Sequence, residues 1–360
     1  MKNLLFVGGG HSHALALLSL ARCWPPDVLP ILISKHRFAA YSGMLPGHIA
    51  GQFSRDECFI DLAALCAHAG VRWLESDVIG IDAKAQSVSL ADGGTMDFAV
   101  LSLNIGGAQK PLFAASAAAV KPVEDFLSWL DTVPKGESFA VIGAGAGGVE
   151  TALALSRRLG SHSLVSLIGE EFFPRTNIGV RRRLRRALQK SSIALYEAAA
   201  MDYQNGAVLL ADGGRVTAAH LIYATPVCAP PWLATSGAAV DADGFLRVNK
   251  FLQSESHPHI FAAGDCASSG APKSGVVAVR QAPILARNIM AAVTGEKLTP
   301  WSQRKNLLYI LNTADSSAVA GWGNFCVDGG WVWQWKKWLD TRFMNRFAAH
   351  PNAHPQINPH

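Results

Sequence analysis

The sequence predicts an α/β protein made of two Rossmann-like dinucleotide-binding domains and a small C-terminal segment. Three observations predict it. A short apolar run ending in glycines leads into a helix-length apolar segment twice, at NLLFVGGGHSHALALLSLA (3–21) and FAVIGAGAGGVETALALSRRL (139–159). Each is followed by a second short apolar run, ILIS (31–34) and LVSLIG (164–169), so each reads as strand, glycine turn, helix, strand. Finally, SLADGGTMDFAVLSLNIGG (89–107) aligns with LLADGGRVTAAHLIYATPV (209–227), giving strand, Asp-Gly turn, strand and small-residue turn both times. A repeat on this scale means two related domains and not a solenoid.

The bulk composition is that of a globular protein. Of 360 residues, 49% are apolar and 16% charged, enough to bury a large core. The 32 Lys and Arg against 27 Asp and Glu leave +5, and part of that excess sits in RRRLRR (181–186). That run reads as a solvated helix face, so no nucleic-acid partner is expected. The six cysteines (Cys23, Cys58, Cys66, Cys228, Cys266, Cys326) form no CxxC pair, which excludes a zinc ribbon, a thioredoxin-like centre or a secreted disulfide framework. A reducing, cytoplasmic setting is the expectation. The apolar stretch after Met1 is too short for a signal peptide, and no window approaches the roughly 18 uncharged apolar residues of a spanning helix.

The glycines carry the chemistry. In such a turn the first makes the bend, the second lets backbone approach a pyrophosphate, and the third lets the helix pack close to the strand, with phosphate on the helix N-terminus. Gly143, Gly145 and Gly148 complete this pattern in the second unit. The first unit has Gly8, Gly9 and Gly10 but His13 in the third place, which predicts a phosphate turn with a displaced helix or a shifted partner residue. A metal held by His11 and His13 would compete with the nucleotide for space, so no metal site is expected. The second strand of the second unit ends before Glu170 and Glu171, which suit the ribose of NADH. Arg175 and the arginines of 181–186 suit the 2′-phosphate of NADPH, and the choice stays open. Glu150, in the first turn of the helix, reads either as a carboxylate favoured by the helix dipole or as a residue that positions the nicotinamide.

Together with IFAAGDC (260–266), these motifs resemble the two-dinucleotide-domain flavoproteins of the pyridine nucleotide-disulfide oxidoreductase superfamily, on the side of the type II NADH dehydrogenases and sulfide:quinone reductases. GGGHSHA, LISKHRFAAYSGMLPGHIAG (32–51), KSGVVAVRQAP (273–283) and WVWQWKKWLDTRFMNRF (331–347) are similar, more narrowly, to a family often fused ahead of selenide, water dikinase. The resemblance implies FAD in the first domain and NADH or NADPH in the second. It places FAD on Gly8, Gly9, Gly10, His11, Ser12, Ser34, Lys35, Met44, Val78, Gly106, Gly264, Asp265 and the helix start at Val277 and Gln281. Asp265 would bond the ribityl chain or a phosphate. Ser34 stands where the superfamily usually has a carboxylate for the adenosine ribose.

The domains implied are 1–108 with 245–297 for FAD, 109–244 for NAD(P), and 298–360 as a Trp-rich interface segment and tail. The loop AAYSGMLPG lacks the redox Cys pair of the disulfide reductases, so electrons leave by another route. The expected activity is FAD-dependent NAD(P)H oxidation with a small-molecule, quinone-like acceptor. Two alternatives stand beside it: a sulfur or selenium oxidoreductase assisted by Cys228, Cys266 and Cys326, or a flavin module that senses redox state or scaffolds a partner. The resemblance also implies a functional link to selenide, water dikinase. On a helical wheel Trp331, Trp335, Leu339, Phe343 and Phe347 form a stripe flanked by Lys336, Lys337, Arg342 and Arg346. An anionic membrane surface, the flavin domain and a second copy in a homodimer each fit that stripe. The tail histidines His350, His354 and His360 are read as part of a loosely ordered tail.

Overall fold

The computed structural model describes residues 1–109, 112–113, 117–134, 136–174, 176–303 and 307–348. Arg175 and the tail histidines His350, His354 and His360 lie outside the described residues. The chain begins β1 (Lys2–Val7), α1 (His11–Ser19), β2 (Val28–Ser34), β3 (Arg72–Glu75), β4 (Val100–Leu103) and β5 (Ala118–Ala119). It continues with β6 (Ser138–Ile142), α2 (Ala146–Leu159), β7 (Leu164–Ile168), α3 (Ile178–Lys190), β8 (Ala194–Tyr196) and β9 (His220–Tyr223). β10 (Ile260–Ala262), α4 (Gly275–Thr294), β11 (Tyr309–Asn312), β12 (Ala318–Trp322), β13 (Phe325–Gly329) and α5 (Gly330–Ala348) follow.

The strands form two parallel sheets of five with the same internal order, β10-β4-β1-β2-β3 and β5-β9-β6-β7-β8. Central strands of a parallel sheet are covered on both faces, so they need continuous apolar runs and not alternation. Leu4, Leu5 and Phe6 of β1 and Phe139, Ala140 and Val141 of β6 are fully buried, as that demands. Each large side chain so buried contributes on the order of 2 kcal/mol.

The internal echo is a repeated insertion. Between β3 and β4, and again between β8 and β9, lies a three-stranded antiparallel meander, Val78–Asp82 with Ser87–Leu90 and Thr95–Asp97, then Ala200–Gln204 with Ala207–Leu210 and Arg215–Thr217. The turns agree in detail. Gly93 and Gly213 have φ of +88° and +86°, and the Asp before each accepts the N–H of the next glycine at 2.9 Å, Asp92 from Gly94 and Asp212 from Gly214.

α4 has the length and hydropathy to cross a bilayer, yet half of its apolar window is buried inside the fold. It packs along α1 and buries Val277, Gln281, Leu285 and Ile289, so it serves as a core helix here. The C-terminal antiparallel sheet β11-β12-β13 and α5 touch both halves, meeting α2, α3 and the Phe38–Asp61 region.

The buried line of α5 differs from the expected stripe. It is Val332, Trp333, Lys336, Asp340 and Met344, while Trp331 is 60% exposed. Trp335, Phe343 and Phe347 are partly buried beside it. A wheel that counts only apolar residues turns Lys336 and Asp340 outward. Here they bond each other at 2.8 Å, and Lys336 Nζ also donates to Gly43 O at 2.8 Å, so both charges enter the interior paired.

Candidate nucleotide-binding site

A cleft of about 480 Å³ opens at the carboxyl ends of the first sheet. Open α/β sheets bind ligands at that edge, where loops leave the strands on either side. Gly8, Gly9, Gly10, His11, Ser34, Lys35, Val78, Gly106, Gly264 and Asp265 line it together, although they come from five separate stretches of chain.

At the turn, Gly8 has φ of +92°, and a Cβ there would stand 2.6 Å from Asn104 O. A Cβ on Gly10 would meet Asn104 Oδ1 at 2.3 Å. Both positions therefore require glycine. Asn104, which sequence reasoning passed over, holds this corner: its Oδ1 accepts from the N–H of Ser12 (2.9 Å) and His13 (3.2 Å), and its Nδ2 donates to Ala263 O. It caps α1 from a neighbouring strand because Gly10 has no side chain to do so.

His13 is wholly buried, and its imidazole bridges Gly8 O (2.7 Å) and Ser102 Oγ (2.8 Å). A carbonyl only accepts, so Nδ1 carries the proton and Nε2 accepts from the Ser102 hydroxyl. Burial depresses the imidazole to about 4, which keeps this neutral form. With both nitrogens engaged, His13 is not paired with His11 on a metal. The second unit shows what the substitution changes. A Cβ on Gly148 would stand 1.7 Å from Gly143 O, the counterpart of Gly8 O. In the first unit that carbonyl is met by a hydrogen bond where the second has bare van der Waals packing, so the shifted partner residue is Ser102.

Four expected contacts do not line the cleft. Ser12 is buried and donates to Ala278 O on α4 (2.7 Å), while Met44 and Val277 are buried core residues. Gln281 accepts the N–H of Gly264 at 2.7 Å and so shapes the Gly-Asp corner from behind. The fourth helix begins two residues earlier than Val277, at Gly275 behind the Ser274 cap, and Gly275 and Ala278 face the cleft instead. Ser34 lines the cleft, but its hydroxyl already donates to His36 O and accepts from Trp73 Nε1, both at 3.0 Å. Its proton is therefore unavailable to a ribose.

Sequence reasoning also missed Lys121 and His36. Lys121 Nζ bonds Asp265 Oδ2 at 2.8 Å across the cleft. His36 lines the cleft with a buried Nε2 that has no partner among the described residues. A glycine cradle, an ion pair and an unmet buried nitrogen are what a dinucleotide would fill, and the residues fit FAD.

The second turn repeats the first. Gly143 has φ of +117°, with a would-be Cβ 2.5 Å from Ala224 O, and Gly145 caps α2 in open space. The turns NIGG and ATPV thus play one role, pressing backbone against the first glycine of each fingerprint. Glu170 and Glu171 are both exposed at the end of β7. Glu150 turns away from that mouth, toward the C-terminal segment, where its Oε1 accepts the N–H of Asn312 at 2.7 Å. Burial raises its carboxyl to about 7 against the pull of Lys336.

The thiols are dispersed. Cys266 is fully buried with its thiol pushed up to about 11 by burial. Cys228 lies in a short strand paired with Ala108–Gln109, and Cys326 sits on β13 with Arg183 Nη1 donating to its Sγ at 3.0 Å. A buried thiol held protonated is a poor nucleophile.

Twin parallel sheets, each with a glycine turn at its carboxyl edge, define a two-dinucleotide oxidoreductase. The chain belongs to the pyridine nucleotide-disulphide oxidoreductase family, whose profile matches residues 2–282. It is an FAD-dependent NAD(P)H oxidoreductase. Among relatives, it is 23% identical over 334 residues to ferroptosis suppressor protein 1 of Taeniopygia guttata (88% of this chain, 87% of that one) and 26% identical over 269 residues to the Homo sapiens protein (69% and 71%). Among solved structures, sulfide:quinone oxidoreductase from Aquifex aeolicus superposes with a TM-score of 0.77 at 18% identity, covering 97% of this chain and 92% of that one. A water-forming NADPH oxidase bound to NADPH superposes with a TM-score of 0.73 at 15% identity, covering 88% and 74%.

Proposed function

We propose that this chain oxidises NADH through FAD and passes the electrons to a quinone-like acceptor drawn from an anionic membrane surface. When bound, FAD takes hydride from the nicotinamide and hands two electrons on, and that chemistry is the cofactor's own. The protein's part is placement. Backbone at Gly8–Gly10 receives the pyrophosphate, Asp265 the ribityl chain, and Gly143–Gly148 the nicotinamide dinucleotide. Glu170 and Glu171, both carboxylates, favour a free 2′-hydroxyl over a 2′-phosphate. The domain division at 108, 244 and 297 belongs to the same proposal and agrees with β10 joining the first sheet.

The observation that carries the acceptor is a hollow of about 300 Å³ between the C-terminal sheet and α5, lined by Leu308, Ala320, Trp322, Phe325, Val327 and Trp335 among others. Its lining is almost wholly apolar; Trp322 and Phe325 of that lining stand exposed, and so do Trp331 and Trp338 on α5. Arg182 and Arg186 on the neighbouring α3, and Lys337, Arg342 and Arg346 on α5, are exposed too. Exposed aromatics with exposed cations on the same elements match an anionic bilayer. The quinone named for the Aquifex aeolicus relative points the same way.

Flotation with phosphatidylglycerol and phosphatidylcholine vesicles tests this, alongside turnover of NADH and NADPH with a short-chain and a long-chain quinone. The expected result is flotation on the anionic vesicles only, preference for NADH, and loss of long-chain but not short-chain quinone turnover in Trp322→Ser/Phe325→Ser. A protein that dimerises through this face and ignores vesicles would overturn the membrane reading, and absence of quinone turnover would overturn the acceptor. The link to selenide, water dikinase is proposed on the sequence resemblance and is tested by co-purification of the two proteins.

A further inference from the structure

His11 is the residue whose surroundings the fold explains least. It opens α1, lines the cleft beside the Lys121–Asp265 pair, and its Nε2 is buried with no hydrogen-bond partner among the described residues. A buried polar atom left unmet is costly, so one on a residue that lines a cleft marks where a bound molecule supplies the partner.

Its ring is also held from behind. The imidazole stands edge-on to Tyr41, with centroids 5.3 Å apart and planes at 71°. Tyr41 in turn stacks on Phe343 of α5 at 4.4 Å and 21°, and its hydroxyl donates to Asp340 at 3.1 Å. Asp340 is fixed by Lys336, which also grips Gly43 O in the same loop as Tyr41. A chain of contacts thus runs from α5 through Tyr41 to the imidazole of a residue that lines the cleft. A packing role alone would suit any flat ring at position 11 and would leave no nitrogen buried without a partner.

We propose that His11 Nε2 hydrogen-bonds the flavin nucleotide in this cleft, and that Tyr41, clamped by Asp340 and Phe343 of α5, is the positioning residue that holds the imidazole there. Burial, aided by Lys121 and opposed by Asp265, lowers the imidazole to about 4, so the neutral ring offers the nucleotide one donor or one acceptor without adding a charge. The C-terminal helix is by this route part of the flavin site, and contacts made by its outer face are felt at the cofactor.

This inference rests on the cleft being the FAD site and is independent of the acceptor and of membranes. Its test reads the cofactor directly, by the visible flavin spectrum, the midpoint potential and FAD affinity from fluorescence titration, in wild type, His11→Ala, His11→Asn, Tyr41→Phe and Tyr41→Ala. One lost hydrogen bond corresponds to FAD binding weakened by roughly 2- to 10-fold. His11→Ala is expected to show that loss with a shifted spectrum and potential, and His11→Asn, which keeps a polar group, to recover part of it. Tyr41→Ala should reproduce the spectral shift, Tyr41→Phe should give a smaller one, and Tyr41→Ala should add little in the His11→Ala background. Wild-type spectrum, potential and affinity in His11→Ala would overturn the contact. A Tyr41→Ala effect that persists undiminished in the His11→Ala background would overturn the positioning role.

Discussion

Replacing His13 with alanine removes two short hydrogen bonds from a fully buried ring, 2.7 Å to Gly8 O and 2.8 Å to Ser102 Oγ. The Ser102 hydroxyl, itself fully buried, is left without its partner, at a cost of about 1–3 kcal/mol. The Gly8 carbonyl loses its imidazole donor, and the missing ring leaves space between α1 and the sheet. Together these give about 3 kcal/mol of lost stability, felt at the turn that cradles FAD. The assay is guanidinium unfolding followed by flavin release, in wild type, His13→Ala, Ser102→Ala and the double variant. A coupling of about 1 kcal/mol between the two sites is expected, since each single change breaks the same bond. Loss below about 0.5 kcal/mol in His13→Ala, or additive effects, would refute the view that the imidazole has taken over the third glycine's role. His13→Gly, a restoration by sequence logic, is expected to be at least as damaging, although FAD is expected to remain bound.

The imidazole of His13 titrates near 4 when folded and near 6.5 when not, so the unfolded chain binds the proton first as pH falls; stability is lost between pH 6.5 and 4, and His13→Gln should flatten that limb of a denaturation profile. Glu150 has the opposite sign. Its folded carboxyl keeps its proton up to about 7 against 4.5 unfolded, so stability falls as pH rises through that window, and Glu150→Gln should be more stable above pH 7 by about 3 kcal/mol in thermal or chemical melts. Gly10→Val drives a side chain into Asn104 and should yield colourless protein, whereas Gly148→Ala, aimed at Gly143 O, should keep yellow FAD but lose bleaching by NADH. The reverse colours would contradict the assignment of the two turns.

Much of this was legible because the signals are local. A tight turn at Gly8 or Gly143 needs positive φ, and a buried parallel strand needs an unbroken apolar run, so both are written in adjacent residues. The repeated Asp-Gly hairpin could be read for the same reason, while the first strand of each meander, Val78–Asp82 and Ala200–Gln204, lay outside the repeat as read. The wheel drawn for α5 put Lys336 beside the stripe, whereas its inward course depends on Asp340 and on Gly43, nearly three hundred residues away. Ser34 had the right position but a side chain already committed to Trp73 and His36, and Ser12 lies behind the cleft, bonded to Ala278.

Two nucleotide units, their parallel sheets and the glycines that turn toward phosphate follow from residue order alone, since steric limits on φ and burial of apolar runs act within a few residues. Which partner His13 would find, that Asn104 caps the first helix, that Lys121 meets Asp265, and that α5 reaches His11 through Tyr41 were decided only on folding. The hydrogen bonds in those links join residues at least 89 positions apart, and no short-range pattern records a bond made at that distance.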